Sequence, residues 1–585
     1  MPGLPGLPLG PLPADLDALV RRVCGSVDHL LALQDRDPDA PTSGCFHPAH
    51  WRDKSAGFAD MRRQEAVLPL AWMWRHEFPG NTRMGDPALL RAALLGLRYW
   101  CAQQHDDGTF DEWYSKEHGY ATTAFSVFAV GLTVQCLGSD LPAPLREQVL
   151  RSIGRAADWL KNNDDWFKTN HEAVGVAALG LAALVLDQPR YAAAAERNAA
   201  QIAARQHPEG WSREVNACDV GYSFLLAEYL ALHAVLCGAS ASLVPAKRAL
   251  RFALHFLHPD MTSGSEYGIC ANAYVSRVAA VALAPHDAQA AAMLRWMDRA
   301  PATQPTGTLE DDLRLSRWAF QPLLAALLHN GTIASRLRAE SLPHEVLFFE
   351  QQQADYEATA AGLSAHARPG YVAWVATCSG AVVRVAFRTP TGFSAVVADR
   401  GAAAPLGEHR LRTCSYSLGR HNSRDATGAL VLEAPLKHCT FVQPKPWQRF
   451  ALALAVRLPG GPRWARKLID VWRARKGTAL NQSVAAVSSG VSALQLVRRV
   501  HFAADHIVID DHLTGPADAA TACLTLDGPW RAMQSGAGAS ADAATARISF
   551  GACGAQPSVS GLRLVRALSL HADGPGWQLR ESPSA

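Results

Sequence analysis

The chain has 585 residues, of which 49% are hydrophobic and 19% charged, with 56 Lys and Arg against 53 Asp and Glu. That length exceeds one ordinary core and predicts at least two domains. The near balance of charge gives no reason to propose nucleic acid as a partner and predicts no basic run with interleaved aromatic residues.

Residues 1–13 form a Pro-rich leader with no basic segment and too many prolines for a signal-peptide core. The expected location is therefore cytoplasmic, or periplasmic if the true start differs. No uncharged apolar run reads as long enough to span a bilayer. The twelve cysteines form no CxxC pair. This leaves zinc-ribbon and thioredoxin-type sites unsupported and fits a reducing compartment.

Residues 14–345 read as helix upon helix, with apolar residues at three- and four-residue spacing over 64–74, 89–101, 121–137 and 217–236. Four polar loops interrupt them, at 105–118, 162–170, 206–219 and 258–272. Each carries an aromatic residue, Trp113, Trp166, Trp211 and Tyr267, at intervals of roughly fifty residues. Repeated helical hairpins of this kind predict an incomplete (α/α) toroid with the loops on one rim. Taken singly, each aromatic reads as a plug for its own hairpin. Four in register, beside clusters such as Asp111-Glu112-Trp113-Tyr114 and Trp211-Ser212-Arg213-Glu214, favour a carbohydrate-binding rim.

The stretch Asn170-His171-Glu172 opens a run with no polar face, which predicts a buried inner helix whose first turn faces the rim. Asn170 suits an N-cap there, and the same turn offers an amide, an imidazole and dipole-oriented N–H groups to an anion.

Composition changes over 346–370, read as a linker. From 371 to 585 short strands alternate, at 371–377, 381–387, 393–398, 429–433, 450–456, 494–502, 506–513, 521–526 and 562–570, with a hairpin turning at 503–505. These predict a large antiparallel β-sandwich.

Four local matches suggest a family. They are Asp107-Gly108-Thr109-Phe110-Asp111-Glu112-Trp113-Tyr114 with Glu117-His118; Asn170-His171-Glu172-Ala173; Glu209-Gly210-Trp211 through Asp219-Val220-Gly221-Tyr222; and Arg420-His421-Asn422-Ser423-Arg424-Asp425-Ala426. In this order, on a toroid followed by a sandwich, the chain resembles the heparinase II/III-like polysaccharide lyases.

The resemblance implies β-elimination at a uronic acid in an acidic polysaccharide or oligosaccharide, leaving a 4,5-unsaturated uronate. It assigns Asn170 and His171 to the substrate carboxylate. Tyr222 becomes the acid, and for some epimers also the base, while His421 is an alternative base or carboxylate partner. Trp113, Tyr114, His118, Trp166, Trp211, Arg213, Glu214, Tyr267, Tyr274 and Arg277 are candidate sugar contacts. Where relatives hold a structural metal, a His stands at the position of Ser423, so no metal and no cofactor are expected. Two other readings stay open. One is a glycoside hydrolase using two of Asp111, Glu112, Glu172 and Glu214; the other is a non-catalytic polysaccharide-binding or surface-polymer assembly protein.

Overall fold

The computed structural model describes residues 10–299 (except 216 and 271), 311–329, 341–406 (except 381), 409–412, 423–441, 445–455, 458, 464, 486–515, 523–526, 546–549, 556–558, 561–571 and 574–580. The helical domain comprises α1 Ala14–Gly25, α2 Val27–Ala32, α3 Pro48–Trp51, α4 Val67–Arg75, α5 Pro87–Ala102, α6 Tyr120–Leu137, α7 Ala143–Asn162 and α8 Thr169–Leu186. It continues with α9 Pro189–Arg205, α10 Val220–Cys237, α11 Leu243–Leu254, α12 Arg277–Leu283, α13 Ala288–Arg299, α14 Asp312–Trp318 and α15 Phe320–His329.

Helices α4, α6, α8, α10, α12 and α15 touch in succession, and α15 returns to α4, making an inner ring. Helices α5, α7, α9, α11 and α13 pack outside their partners, and α1 packs outside α15. Sequence explains the division. Outer helix α7 buries a single stripe, Leu145, Val149, Ile153, Ala156 and Leu160, at three- and four-residue spacing. Inner helices α6, α8 and α10 are buried nearly all round.

Those three helices are, contrary to the sequence reading, long and apolar enough to cross a membrane by length and composition. In the fold 72–83% of each is buried inside the protein. Gly175 lets two of them approach, because a Cβ there would meet the Tyr120 hydroxyl at 2.2 Å.

The second domain is antiparallel, with β1 Ala354–Ala358, β2 Leu363–Ala367, β3 Tyr371–Ala376, β4 Val382–Thr389, β5 Gly392–Phe393, β6 Val397–Leu406, β7 His409–Arg412, β8 Ser423–Arg424 and β9 Leu430–Phe441. After these come β10 Ala486–Phe502, β11 His506–Thr514, β12 Cys523–Leu526, β13 Ala546–Ser549, β14 Gln556–Ser558, β15 Gly561–His571 and β16 Gly574–Arg580. Strand order along the main path is β1-β2-β3-β4-β6-β7-β9-β10-β11-β15-β14. The architecture is the expected toroid followed by a β-sandwich.

Two local expectations change. The stretch expected to link the domains instead contains β1 and β2, which pair with each other and join β3. The strand expected at 450–456 is a helix, α16 Pro446–Ala455. Its Phe-Ala-Leu-Ala-Leu-Ala-Val sequence alternates like a strand, but Ala and Leu are strong helix formers.

The domains meet along the rim. Trp374 Nε1 donates to His255 O at 3.0 Å, and the Tyr356 ring stacks on His255 with centroids 3.5 Å apart. Glu209 accepts the backbone N–H groups of Ala360 and Ala361 at 2.8 and 3.2 Å. Arg384 is ion-paired to Glu266.

Candidate active site

The rim loops that precede α8, α10 and α12 are laced to one another. Lys168 bridges Glu214 and Asp219 bridges Gly268 in isolated β-pairs. Thr169 N donates to Arg213 O at 3.1 Å, and Cys270 N to Asp219 Oδ2 at 2.9 Å. Gly221 admits the fourth loop, since a Cβ there would lie 2.4 Å from Asn272 O. The first turns of α8 and α10, which carry Asn170, His171 and Tyr222, are thereby fixed side by side.

Helix α8 begins at Thr169, with Lys168 at the N-cap and no side-chain cap bond. Asn170 is thus inside the first turn rather than at the cap. The cap comes from the neighbouring loop. Glu214 is buried, accepts Asn170 N at 2.7 Å through Oε1, and accepts Asn170 Nδ2 at 2.5 Å through Oε2. The next residue, Val215, is held at φ 60°, a costly conformation for a β-branched side chain.

This arrangement revises the expected carboxylate clamp. The N–H groups of residues 169, 170 and 171 already donate to Arg213 O, Glu214 Oε1 and Lys168 O, so they are not available to an anion. Asn170 Oδ1, by contrast, is buried without a hydrogen-bond partner among the described residues. Glu214, expected to contact sugar, instead fixes Asn170. Burial raises its carboxyl well above the usual range, against the two Asn170 donors.

His171 is held by Asp165, whose Oδ2 lies 2.8 Å from Nδ1. Burial lowers its pKa, opposed by Asp165. A neutral imidazole that donates from Nδ1 to a carboxylate keeps its lone pair on Nε2.

Tyr222 stands in the first turn of α10, whose cap Asp219 accepts Tyr222 N at 3.0 Å. Its hydroxyl has no hydrogen-bond partner among the described residues. Burial raises its pKa well above the ordinary value, and Cys270, Asp219, Glu214 and Glu112 add to that. The cations expected to lower it are not among its main influences, so Tyr222 holds its proton. Glu112 adds a smaller electrostatic influence on both His171 and Tyr222. Asp219 is itself raised to about 7 by burial, against several backbone donors.

Sequence reasoning did not assign Lys168 or Asp165. Lys168 is half-buried, makes no ion pair among the described residues, and influences His171, Glu214 and Cys270. Both stand within six residues of His171 on the same loop, and that proximity was the available signal.

The expected sugar contacts separate into groups. Trp113 is 62% exposed at the tip of the first loop, with Tyr114 half-buried beside it. Trp166 and Trp211 are half-buried. Arg205 lies over the Trp166 ring at 3.7 Å, while Trp211 stacks on His207 at 4.4 Å and donates to Glu209. Arg213 is exposed and donates to Val215 O. His118 is half-buried, with Nδ1 held 2.8 Å from Asp107.

Three residues do not line a rim. Tyr267 is 1% exposed and bonded to His258. The Tyr274 hydroxyl donates to Glu228 and accepts from Gln321. Arg277 is tied between Asp15 and Asp298. These are packing and anchoring roles, so the aromatic row reduces to Trp113, exposed, and two partly covered rings.

In the sandwich, His421 lies outside the described residues. Ser423 donates to Val431 O at 2.9 Å, and Asp425 accepts the N–H groups of Thr427 and Ala429.

Comparison with known proteins places this geometry. Residues 24–270 match the family model described as the ulvan lyase N-terminal domain. No curated protein matches the chain. Among solved structures, the chain is similar to the chondroitin AC lyase of Streptomyces coelicolor A3 in complex with chondroitin sulphate. Identity is 13% over 88% of this chain and 69% of that one, with a TM-score of 0.54. A mutant of the same lyase gives 12% identity over the same shares, with a TM-score of 0.51. Heparinase III matches at 11% identity over 88% of this chain and 72% of its own, with a TM-score of 0.44. The family match covers 247 of the 585 residues, including the loops that carry Asn170, His171 and Tyr222, so this region is similar to a polysaccharide lyase domain, and the fold match to the chondroitin lyase extends into the sandwich.

Proposed function

We propose that the chain cleaves a uronic-acid-containing polysaccharide or oligosaccharide by β-elimination, with His171 as the base and Tyr222 as the acid. The observation that carries this is the placing, on the first turns of neighbouring helices α8 and α10, of a histidine held through Nδ1 by Asp165 and a tyrosine whose hydroxyl has no partner among the described residues; burial favours the neutral form of each. His171 Nε2 takes the C5 proton, and the C4–O4 bond breaks as the C4=C5 double bond forms. Tyr222 gives its proton to O4 of the leaving sugar. Solvent then returns the proton from His171 to Tyr222.

Removal of the C5 proton is hard because the neighbouring carboxylate opposes the developing enolate charge. A cation beside that carboxylate lowers the barrier. Lys168, half-buried just before the first turn of α8, is the group the structure offers for this. Burial favours the neutral forms of Glu214 and Asp219, which lowers their repulsion of a polyanion.

The hydrolase alternative loses support from the same contacts. Asp111 is bonded to His105, Glu112 to Arg317, Glu172 to Tyr120 and Glu214 to Asn170. Incubation with alginate-, glycosaminoglycan- and capsule-type uronate polymers tests the proposal. Products should gain the ultraviolet absorbance and mass of a 4,5-unsaturated uronate end. Saturated products, or no cleavage of any uronate polymer, would overturn it.

A further inference from the structure

The overall charge conceals a basic tract. Residues 445–476 contain nine Lys and Arg against one acid, Asp470, although the whole chain is only +3. Trp447, Phe450, Trp464 and Trp472 are interleaved with them. The expectation that no such run exists is therefore corrected.

Within the tract, α16 shows an unusual surface. Trp447, Phe450, Leu454 and Leu458 are 63, 71, 53 and 57% exposed. Trp447, Phe450 and Leu454 stand at i, i+3 and i+7, which is one helix face, and Leu458 follows just past the helix end. Half of the ten large hydrophobic side chains exposed among the described residues fall between 447 and 464. Soluble surfaces carry such side chains singly; a contiguous set marks a contact. Strands β9 and β10 pair at Phe441 and Ala486, the residues that flank this tract in the sequence.

From the joint presence of this apolar helix face and the basic residues of the same stretch of sequence, we infer that α16 docks the β domain on an anionic lipid surface. A helix with Trp, Phe and Leu on one side and Lys and Arg nearby lies in the interface plane, with its apolar side chains among the acyl chains and its cations near the headgroups. An anionic polysaccharide would meet the same charges, but Leu454 and Leu458 offer no flat ring for a sugar to stack on. The observations favour lipid.

The test is co-sedimentation of the full chain with vesicles of phosphatidylcholine containing a quarter phosphatidylglycerol, and with pure phosphatidylcholine vesicles. The chain should partition onto the anionic vesicles, less so at high salt. The variant W447E/F450E/L454E should lose about a hundredfold or more in partitioning while keeping its melting temperature and its activity on soluble polymer. Should the triple variant misfold, Phe450→Ser alone should reduce partitioning measurably. Failure to bind anionic vesicles would overturn the inference, as would undiminished binding by the folded variants. Capture of the chain by an immobilised uronate polymer through these same residues, without vesicle binding, would also overturn it.

Discussion

His171 enters the site uncharged because burial disfavours the imidazolium more than Asp165 supports it. A base must be deprotonated to act, so turnover should fall only in acid, as pH drops through a value below the ordinary 6.5. The alkaline side has another origin. Tyr222 keeps its proton far into alkali, but Asp219 ionises near pH 7 beside it. New negative charge there repels a uronate, so KM should rise above about pH 7 while kcat holds. A pH series of kcat and KM measured separately checks both limbs; a kcat that falls above pH 7 would count against this assignment.

A second residue-scale effect concerns stability. Burial raises Glu172 to about 8. The folded chain holds that proton while the unfolded chain releases it near 4.5. Its contribution is thus complete below pH 4.5, falls as pH rises, and is gone above about 8. Glu172→Gln should flatten the stability–pH curve across that window and raise stability at its upper end, read by urea unfolding at several pH values.

At the scale of elements, the first turn of α8 depends on a cap from 44 residues away. Glu214→Ala removes both acceptors of Asn170 and leaves its buried amide unpaired, which should cost about 2–4 kcal/mol. Glu214→Gln keeps an acceptor oxygen and should cost about 1 kcal/mol. Denaturant midpoints for the two variants measure the difference. Equal losses would mean that Glu214 contributes volume rather than hydrogen bonds.

The same element shows what could be read beforehand. The apolar run after Glu172 and the spacing of the rim loops made the inner ring and the placing of His171 and Tyr222 on adjacent loops legible. A cap borrowed across loops has no local signature, so Asn170 read as its own cap. Burial that leaves His171 neutral is likewise invisible until neighbours are in place. Period-two alternation in the α16 sequence imitated a strand, and only propensity argued otherwise.

At the scale of the whole molecule, the sandwich props the rim. The third loop gives Glu214 to Asn170 and Glu209 to the backbone of residues 360–361. The fourth presses Gly268 on Asp219 and pairs Glu266 with Arg384, a largely buried contact. Removing one partner of such a pair strands the other. Arg384→Ala should therefore cost about 3–5 kcal/mol and lower turnover, although Arg384 is not among the residues assigned to catalysis. Calorimetry should give one transition for the native chain and a separated or broadened one for this variant. Two resolved transitions in the native chain would mean that the domains are energetically independent.

If Tyr222 delivers the proton to the leaving sugar, the absorbance of unsaturated product formed by Tyr222→Phe measures it directly. The substitution removes only the hydroxyl, which has no partner among the described residues, so the melting temperature should not move. Turnover should fall by about a thousandfold, the usual worth of a positioned acid. Turnover within a few-fold of the native chain, at an unchanged melting temperature, would contradict it.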